Sequence, residues 1–429
     1  MSTHGTIMRK LVTEIATLDS VCRLITDGKH GDCRNEDESG YFFLSAKDVK
    51  DGKLNYENAR QIAKEDFLQT HKRTQLEPLD ILISNSGTIG RMAIAQDVEE
   101  TYRTTFQKSV AILKPDKNRV DPYWLYYYLH HVRDRLINTA GGTAQSNLLL
   151  RDLRSFEVEI YPLPFQRKIS TILCAHDNLI ENNIRRIKIL EEMARAIYRE
   201  WFVHFRFPGH EKVKMVDSPS GKMPEGWEMR RLDGFGTVVL GKTPSKAKPE
   251  YFGSEMPFIK LPDMHGNVFC IDTSEKLSAL GVDSQKSKTI PADSLCVSCI
   301  GTAGEVCIAS EPSQTNQQIN SIVLENLTYR EFLYCALLGL RATINQFGAT
   351  GATMVNLNKE KFAALTALHL CEGIITAYHD TISSHFDLIK SLQRKNKELR
   401  QMRDLLLPKL ICGEVDVSKL DIDEGNAVT

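Results

Sequence analysis

One stretch of the sequence has the residue types of a phosphate-binding loop. Residues 236–243 read Gly-Thr-Val-Val-Leu-Gly-Lys-Thr and fit the pattern G-x-x-x-x-G-K-[ST] at every position. Such a loop works when a strand precedes it and a helix follows it, because the helix N-terminus faces the phosphates. Pro244, Pro249 and Gly253 come directly afterwards and leave no amphipathic helix. We favour a basic loop, which either contacts the phosphates of a nucleic acid or is solvated.

Two further motifs could carry chemistry, and both are incomplete. Cys296 and Cys299 form a Cys-x-x-Cys pair, but a structural zinc site needs four ligands and no second pair has matching spacing. Residues 121–124, Asp-Pro-Tyr-Trp, are similar to the Asp-Pro-Pro-aromatic turn of adenine methyltransferases but lack its second proline. We predict that Pro122 opens a helix and that the two cysteines pack as small hydrophobic residues in a strand.

No combination of residues predicts catalysis. Paired carboxylates beside a lysine, as a metal-dependent nuclease requires, occur only as chance combinations, and no Ser-His-Asp or Cys-His set stands out. We therefore expect a recognition protein that is not an enzyme, with no metal site and no cofactor of its own. The enzyme alternatives are a P-loop ATPase built on residues 236–243 and an unrecognised methyltransferase, and binding of ATP or S-adenosylmethionine by the isolated chain would favour them.

The composition is that of a folded chain with reduced cysteines. The 429 residues are 42% hydrophobic and 25% charged, which excludes wholesale disorder. The absence of a long apolar run and of an apolar N-terminal signal predicts a cytoplasmic protein, in which the ten cysteines are thiols. The net charge of −1 gives no uniformly basic surface. Only residues 161–206, with 8 basic and 5 acidic groups, are clearly positive.

Two segments have the heptad spacing of long helices. They cover residues 166–203 and residues 374–407, and the second is expected to stop at Pro408. About 35 residues at 1.5 Å each make a helix about 50 Å long. Asn396 and Arg403 are polar seam positions that can fix the register. We predict that the helices pack on each other, rather than each on its own domain, through Ile180, Ile187, Leu190, Ile197, Trp201, Ile382, Ile389, Leu392, Leu399 and Leu406.

The region before each long helix occurs twice. Four short segments match in the same order and at similar offsets, which predicts a duplicated unit of one globular domain followed by one helix. Apolar runs bounded by turn residues predict strands in both halves, and residues 121–138 and 329–346 predict helices in matching places. The matched segments are residues 43–48 with 258–263, 86–90 with 300–304, 107–111 with 319–323, and 147–148 with 356–357.

These patterns predict an α+β chain of six segments. The two globular domains are mixed α/β, and the segment between them is rich in proline, glycine, serine and lysine. The predicted segments are a first domain at 1–160, a long helix at 161–206, a linker at 207–226, a second domain at 227–365, a distal long helix at 366–415 and a frayed acidic tail at 416–429.

Several motifs resemble the specificity subunits of type I restriction-modification systems. The strongest are Pro-Leu-Pro-Phe-Gln-Arg-Lys-Ile at 162–169 and Asp-Asn-Leu-Ile-Glu-Asn-Asn at 177–183. The distal helix departs from the pattern at residues 369–373, where His-Leu-Cys-Glu-Gly stands in place of Pro-Leu-Pro-Phe-Gln. The resemblance extends to residues 190–192, 199–202, 224–227, 241–245, 27–31 and 405–414, and so covers almost the whole chain.

The resemblance implies a DNA-binding subunit with two recognition domains. Members of the family have two target recognition domains, each reading one half of a split DNA sequence, and two long helices that pack as an antiparallel coiled coil. Two modification subunits bind the helices and use S-adenosylmethionine to methylate adenine N6, and restriction subunits use ATP and Mg²⁺ for translocation and cleavage. Because the two halves differ in sequence, we expect an asymmetric bipartite target in double-stranded DNA. A coiled-coil scaffold without a DNA role remains an alternative.

The candidate DNA-contacting residues lie in loops of both halves. Lysine can bind phosphates and the acceptors of guanine, and glutamine can hydrogen-bond to adenine. Hydroxyl groups can bind phosphates or base edges. In the first half they are Lys29, His30, Ser86, Thr88, Gln107 and Lys108, and in the second half they are Lys242, Thr243, Lys246, Lys248, Lys260, Thr302, Gln317 and Gln318.

Overall fold

The computed structural model describes residues 14–50, 52–139, 147–219, 221–348, 356–418 and 420–421. The chain forms two compact units. The first contains residues 1–178 and 400–429, and the second contains residues 179–399. No helix among the described residues is long and apolar enough to span a membrane.

The described helices are α1 (Leu18–Val21), α2 (Lys64–Thr74), α3 (Glu99–Tyr102), α4 (Pro122–His131), α5 (Arg133–Asn138), α6 (Leu150–Ser155), α7 (Leu163–Tyr198), α8 (Leu261–Met264), α9 (Ala279–Asp283), α10 (Arg330–Gly339), α11 (Arg341–Gly348), α12 (Lys359–Ala363) and α13 (Glu372–Ile411). The strands are β1 (Glu14–Thr17), β2 (Cys22–Asp27), β3 (Phe42–Leu44), β4 (Val49–Lys50), β5 (Lys53–Leu54), β6 (Ile81–Ser84), β7 (Met92–Ile94), β8 (Thr104–Phe106), β9 (Val110–Pro115), β10 (Glu157–Ile160), β11 (Met215–Ser218), β12 (Gly221–Pro224), β13 (Glu228–Arg231), β14 (Gly236–Leu240), β15 (Phe252–Ile259), β16 (Phe269–Cys270), β17 (Lys276–Leu277), β18 (Leu295–Ser298), β19 (Val306–Ala309), β20 (Gln314–Thr315), β21 (Ile319–Leu324) and β22 (Thr366–His369).

The first unit is built on a four-stranded sheet in the order β2-β9-β6-β7, with antiparallel neighbours. Strand β3 pairs in parallel with β8 beside it, and β1 pairs with β10. One face of the sheet packs on α4, whose Trp124 and Leu125 are fully buried in the core. The C-terminal residues Leu410 and Ile411 of α13 join this same core.

The second unit repeats this topology. Its sheet has the order β14-β21-β18-β19-β16, so its first four strands correspond to the four of the first unit, and β16 is an addition at the edge. Strand β15 pairs in parallel with β20 as β3 does with β8, and β13 pairs with β22 as β1 does with β10. Helix α10 supplies the buried Phe332 and Leu333 to the core, as α4 does in the first unit.

The strand registers confirm three of the four matched segments and correct the fourth. Ser84 lies opposite Val110 and Ser298 lies opposite Ile319, so Val110 and Ile319 are equivalent. The sequence comparison aligned Gln107 with Ile319, three residues out of register. Short apolar runs slide easily past one another in a sequence comparison, whereas hydrogen bonds between strands fix the register.

The first long helix has the predicted extent. Helix α7 begins at Leu163, and a π-helical segment from Arg199 to Val203 continues it to the predicted end. The heptad pattern of the sequence therefore located this element to within a few residues.

The second long helix does not stop at Pro408, and that prediction is wrong. Helix α13 runs to Ile411 with Pro408 inside it. A proline removes one backbone donor, but here the following turn is held by tertiary contacts. Leu410 and Ile411 are buried, and the Tyr161 hydroxyl donates to the carbonyl of Ile411 at 2.9 Å. The helix ends where Gly413 adopts a positive φ of 68°.

Two segments predicted as a linker and a tail contain ordered structure. Within residues 207–226, β11 and β12 form an antiparallel hairpin. At the start of the acidic segment Val417 is buried, and the Lys168 ammonium donates to the carbonyls of Ser418 and Leu420. These first residues differ from the frayed tail that the composition predicts, whereas residues 422–429 lie outside the described part of the chain.

Candidate nucleic-acid interface

The first unit has a cavity of about 770 Å³ at the edge of its sheet. It lies where β2 and β6 end and β9 begins, so the loops after two strands and before a third meet there. Three of the residues predicted to contact DNA line it, namely His30, Ser86 and Lys108. Its other lining residues are Asp27, Asn85, Gly87, Ile89 and residues 147–150.

A close backbone approach at Gly28 positions the basic residues of this cavity. A Cβ atom at Gly28 would lie 2.1 Å from the carbonyl oxygen of Phe106, so only glycine fits. The next residue, Lys29, donates its backbone amide to Phe106 at 2.7 Å, and the Lys108 amide donates to the Lys29 carbonyl at 3.1 Å. Lys29 and Gln107 form an isolated β-bridge, so these two predicted residues also lie beside the cavity.

The Gly-Thr-x-Gly segments form the predicted tight turns. In the first unit the Ser84 hydroxyl donates to the carbonyl of Thr88 and accepts from the amide of Arg91 at 2.8 Å. In the second unit Ser298 donates to the carbonyl of Thr302 at 2.7 Å and accepts from the amide of Glu305 at 2.9 Å. All four glycines of the two turns have positive φ values between 74° and 87°. The turns leave Thr88 and Thr302 exposed.

Asp27 and His30 lie side by side in the lining of the cavity. The largely buried carboxylate of Asp27 binds the ring of His30 at 3.1 Å and pairs with the guanidinium of Arg73. The Lys108 side chain is exposed at the same cavity. The cavity therefore presents a buried anionic group together with exposed hydrogen-bond donors, a mixture that suits polar base edges and phosphates.

In the second unit the Gly-Lys-Thr residues take the place of the Gly28 loop and do not form a phosphate-binding loop. A Cβ atom at Gly241 would lie 2.1 Å from the carbonyl of Asn316, and the Lys242 amide donates to Thr315 at 2.9 Å. No α-helix follows the loop, since a short 3-10 turn and then β15 come next. The helix N-terminus that would face phosphates is missing, which contradicts the P-loop ATPase alternative.

The structure brings some of the predicted residues of the second half together and leaves others apart. Thr243 donates its hydroxyl to the side-chain oxygen of Gln317 at 2.5 Å, beside Lys242. The side-chain oxygen of Gln318 accepts from the side-chain amide of Asn316 at 2.9 Å. The other four lie elsewhere. Thr302 lies in the turn held by Ser298, Lys246 is exposed, Lys248 donates to the Tyr251 hydroxyl at 3.1 Å, and Lys260 pairs with Glu275 at 2.8 Å. The hydroxyl of Tyr251 raises the pKa of Lys248.

Sequence reasoning missed three polar residues of the first cavity. They are Asp27, Asn85 and Asn147. Asp27 and Asn85 each lie at the end of an apolar strand, directly before a glycine-containing turn. A polar residue at that position is the sequence feature that could have identified them as site residues. Asn147 follows a segment, 140–146, that lies outside the described residues.

The other two motifs have the predicted structural roles. Asp121 caps α4 by accepting from the Trp124 amide at 2.8 Å, with Pro122 in the first turn. Cys296 is buried in β18 opposite Cys307, and Cys299 is buried just beyond the strand. Within the described residues no group of three or more His, Cys, Asp and Glu side chains could hold a metal ion.

The long helices contact each other within each unit. In the second unit the Asn183 amide donates to Asn396 at 2.8 Å, and the rings of Trp201 and Tyr378 lie 5.7 Å apart. The residue numbers rise in one helix as they fall in the other, so the two segments run antiparallel. In the first unit Arg403 pairs with Asp177 at 2.5 Å.

The predicted seam residues differ in burial. Five of them are buried, namely Ile180, Ile382, Ile389, Leu392 and Leu399. Four more are partly buried and pack against the core of the second unit, namely Ile187, Leu190, Ile197 and Trp201. Leu406 is partly buried against the core of the first unit.

Comparisons with known proteins agree with this architecture. A family model described as the type I restriction modification DNA specificity domain matches residues 13–192 and 224–366, one segment in each half. The chain is 31% identical over 366 residues to the specificity subunit of the HindI type I restriction enzyme of Haemophilus influenzae, a match covering 71% of this chain and 80% of that one. It is 26% identical over 348 residues to the MjaIX specificity subunit of Methanocaldococcus jannaschii, covering 79% and 78% of the two chains.

A solved structure shares the fold. The crystal structure of the S subunit of a type I restriction-modification system from M. genitalium superposes with a TM-score of 0.56 at 16% identity, covering 94% of this chain and 96% of that one. Together with the family match over both halves, the duplicated domains and the antiparallel helix segments identify the chain. It belongs to the specificity subunits of type I restriction-modification systems, the non-catalytic subunits that recognise DNA.

Proposed function

We propose that this specificity subunit reads an asymmetric, bipartite sequence in double-stranded DNA, one half-site with each globular domain. The observation that carries the proposal is the repetition of one loop scaffold in both units, with different side chains placed on it. A repeated scaffold supports two similar contacts with DNA, and different side chains support two different half-sites. The proposed recognition domains are residues 1–160 and 227–365.

The proposed contacts comprise phosphate and base contacts from each domain. Lysine side chains neutralise phosphates and give affinity, whereas side chains that meet base edges give specificity. The proposed contacting residues are Lys29, His30, Ser86, Thr88, Gln107 and Lys108 in the first domain, and Lys242, Thr243, Lys246, Lys248, Lys260, Thr302, Gln317 and Gln318 in the second.

The long helices, at 161–206 and 366–415, are proposed to bind two modification subunits. Helix α7 exposes Leu179, Ile184, Ile189 and Met193 in the second unit, each between 45% and 55% accessible. Exposed apolar side chains spaced along one helix support a protein interface. The remaining proposed segments are the linker at 207–226 and the acidic tail at 416–429.

The chemistry of the complex belongs to the partner subunits in this proposal. The modification subunits use S-adenosylmethionine to methylate adenine N6 in each half-site, and flip that adenine out of the duplex. Restriction subunits, where present, use ATP and Mg²⁺. This chain contributes recognition and assembly and binds none of these cofactors, and the proposed site of action is the cytoplasm.

Selection from a random duplex library by the assembled complex tests this function. The complex of this chain with its modification subunits should enrich two blocks of specified base pairs, of different sequence, separated by a spacer of constant length and unspecified sequence. A complex that assembles normally and enriches no sequence would support the alternative of a coiled-coil scaffold. Replacing Ile189 by Glu should reduce co-purification of the modification subunit, whereas normal co-purification would remove α7 from the interface.

A further inference from the structure

Matched backbone hydrogen bonds align the two recognition loops position by position. Gly28 donates to Val110 as Gly241 donates to Ile319, and Asn85 donates to Ser109 as Cys299 donates to Gln318. Beyond the turns, Leu148 donates to the carbonyl of Asn85 as Leu357 donates to that of Cys299. Because the backbones of the two loops make the same hydrogen bonds, the loops differ in the side chains that they offer to a ligand and not in backbone structure.

Some equivalent positions carry the same residue in both units. Lys29 corresponds to Lys242, and the two lysines follow glycines that are pressed against carbonyl groups. Thr88 corresponds to Thr302, and both are exposed at the tips of the same turn. A phosphate is the same at every base pair, so a residue that binds it need not change between two half-sites.

Neighbouring positions carry different residues. His30 corresponds to Thr243, next to the shared lysine, and Ser86 corresponds to Ile300, next to the shared turn. Lys108 corresponds to Gln317. In the first unit all three differing residues line one cavity, and in the second Thr243 and Gln317 are in direct contact. The three differing side chains therefore gather at one cavity in the first unit, and two of their three counterparts touch each other in the second.

We propose that these three pairs of positions select the bases, while the shared lysine and threonine hold the DNA backbone. This inference rests on the proposed function and assigns roles within it. Lys108 matches the two acceptors on the major-groove edge of guanine, and Gln317 matches the donor and acceptor of adenine. Ile300 offers an apolar contact to a thymine methyl group, where Ser86 offers a hydrogen bond.

The test exchanges residues between the domains and maps N6-methyladenine in a host that carries the complex with its modification subunits. Lys108→Gln should change the specified bases in one half-site and leave the other half-site as in the wild type. Gln317→Lys should change the opposite half-site. Lys29→Ala should lower the methylated fraction of all sites, several-fold or more, and leave both half-sites unchanged in sequence.

Lys117→Gln is the matched control for Lys108→Gln. It makes the same chemical change at an exposed lysine just beyond the other end of β9, and it should leave both half-sites and the methylated fraction unchanged. If Lys108→Gln abolishes methylation, selection of duplexes by the assembled variant complex and the exchange Ser86→Ile provide the same sequence readout.

Four results separate the possible failures. Unchanged half-sites in both Lys108→Gln and Ser86→Ile would overturn the inference, as would a change of base preference in Lys29→Ala. A wild-type complex that methylates no split sequence would instead contradict the proposed function itself. A change in both half-sites from Lys108→Gln alone would overturn the assignment of that position to one domain.

Discussion

Asn183 and Asn396 form a buried hydrogen bond between the two long helices of the second unit. Their side chains lie 2.8 Å apart, and the residues are only 5% and 3% exposed. A buried amide pair permits one alignment of two apolar helix faces and penalises the others, because a shifted register leaves both amides unpaired. The heptad pattern predicts Asn396 as a polar seam residue but does not identify its partner.

Replacing Asn396 by Leu should destabilise the chain by about 1–3 kcal/mol, because it leaves the Asn183 amide buried without a partner. The double variant Asn183→Leu/Asn396→Leu should regain most of this loss. Urea unfolding of the wild type, both single variants and the double variant measures the difference. Single variants as stable as the double variant would show that the hydrogen bond does not set the register.

We expect His71 to make the stability of the first unit sensitive to acid. Its ring stacks on Phe67 with centroids 4.8 Å apart, and burial lowers the pKa of His71 below its usual value. The unfolded chain therefore takes up a proton here at a higher pH than the folded chain does. The stability contributed by this group is present above pH 6.5 and is lost as the pH falls below that value.

A comparison of His71→Phe with the wild type at pH 7.5 and pH 5.5 tests this. The variant keeps a ring beside Phe67 and cannot titrate, so its thermal midpoint should fall less on acidification. One titrating group changes the free energy of unfolding by at most about 1.4 kcal/mol per pH unit. The partial exposure of His71 makes its contribution smaller than this limit. Equal shifts of the midpoint in both proteins would assign the acid sensitivity to other groups.

At the scale of elements, the long helices and several strands of the two main sheets follow from local patterns. Heptad spacing predicts α7 within a few residues. The apolar runs at residues 79–84, 92–95, 108–113, 294–300 and 321–326 likewise predict β6, β7, β9, β18 and β21. These signals are readable because each element buries one face with a regular period. The end of α13 could not be predicted from local sequence. The helix continues beyond Pro408 because its last turn is bound by Tyr161, about 250 residues away in sequence.

Removing that contact should loosen only the end of α13. Tyr161→Phe deletes the hydrogen bond to the Ile411 carbonyl while keeping the ring in place. A loss of about 1 kcal/mol corresponds to roughly fivefold faster amide exchange in residues 409–412. Hydrogen exchange of the full-length chain measures this, with residues 380–390 of the same helix as the internal control. Unchanged exchange at residues 409–412 would mean that the burial of Leu410 and Ile411 alone holds the last turn.

The candidate site was only partly predictable for a related reason. The Gly-Thr turns and their neighbours were found because glycine and hydroxyl residues between strands mark tight turns. The equivalence of Lys108 and Gln317 was missed because the sequence comparison set the strands three residues out of register. Residue types alone also placed Lys260 among the candidates, whereas the structure pairs it with Glu275.

At the scale of the whole molecule, each unit contains a segment of both long helices. The first unit joins residues 1–178 with residues 400–429, and the second holds residues 179–399. The duplication predicts two domains. It does not predict that each compact unit includes segments of both long helices. The chain's C-terminal helix end is therefore part of the first unit's core rather than a separate extension.

We propose that the two domains read two different halves of one DNA target. The most direct measurement is single-molecule sequencing of host DNA after co-expression of the wild-type chain with its modification subunit. We expect N6-methyladenine in one split motif, with two unlike blocks, a spacer of fixed length and one methylated adenine per block on opposite strands. A stable complex that leaves no such methylation, or that marks a single uninterrupted or symmetric sequence, would contradict the account.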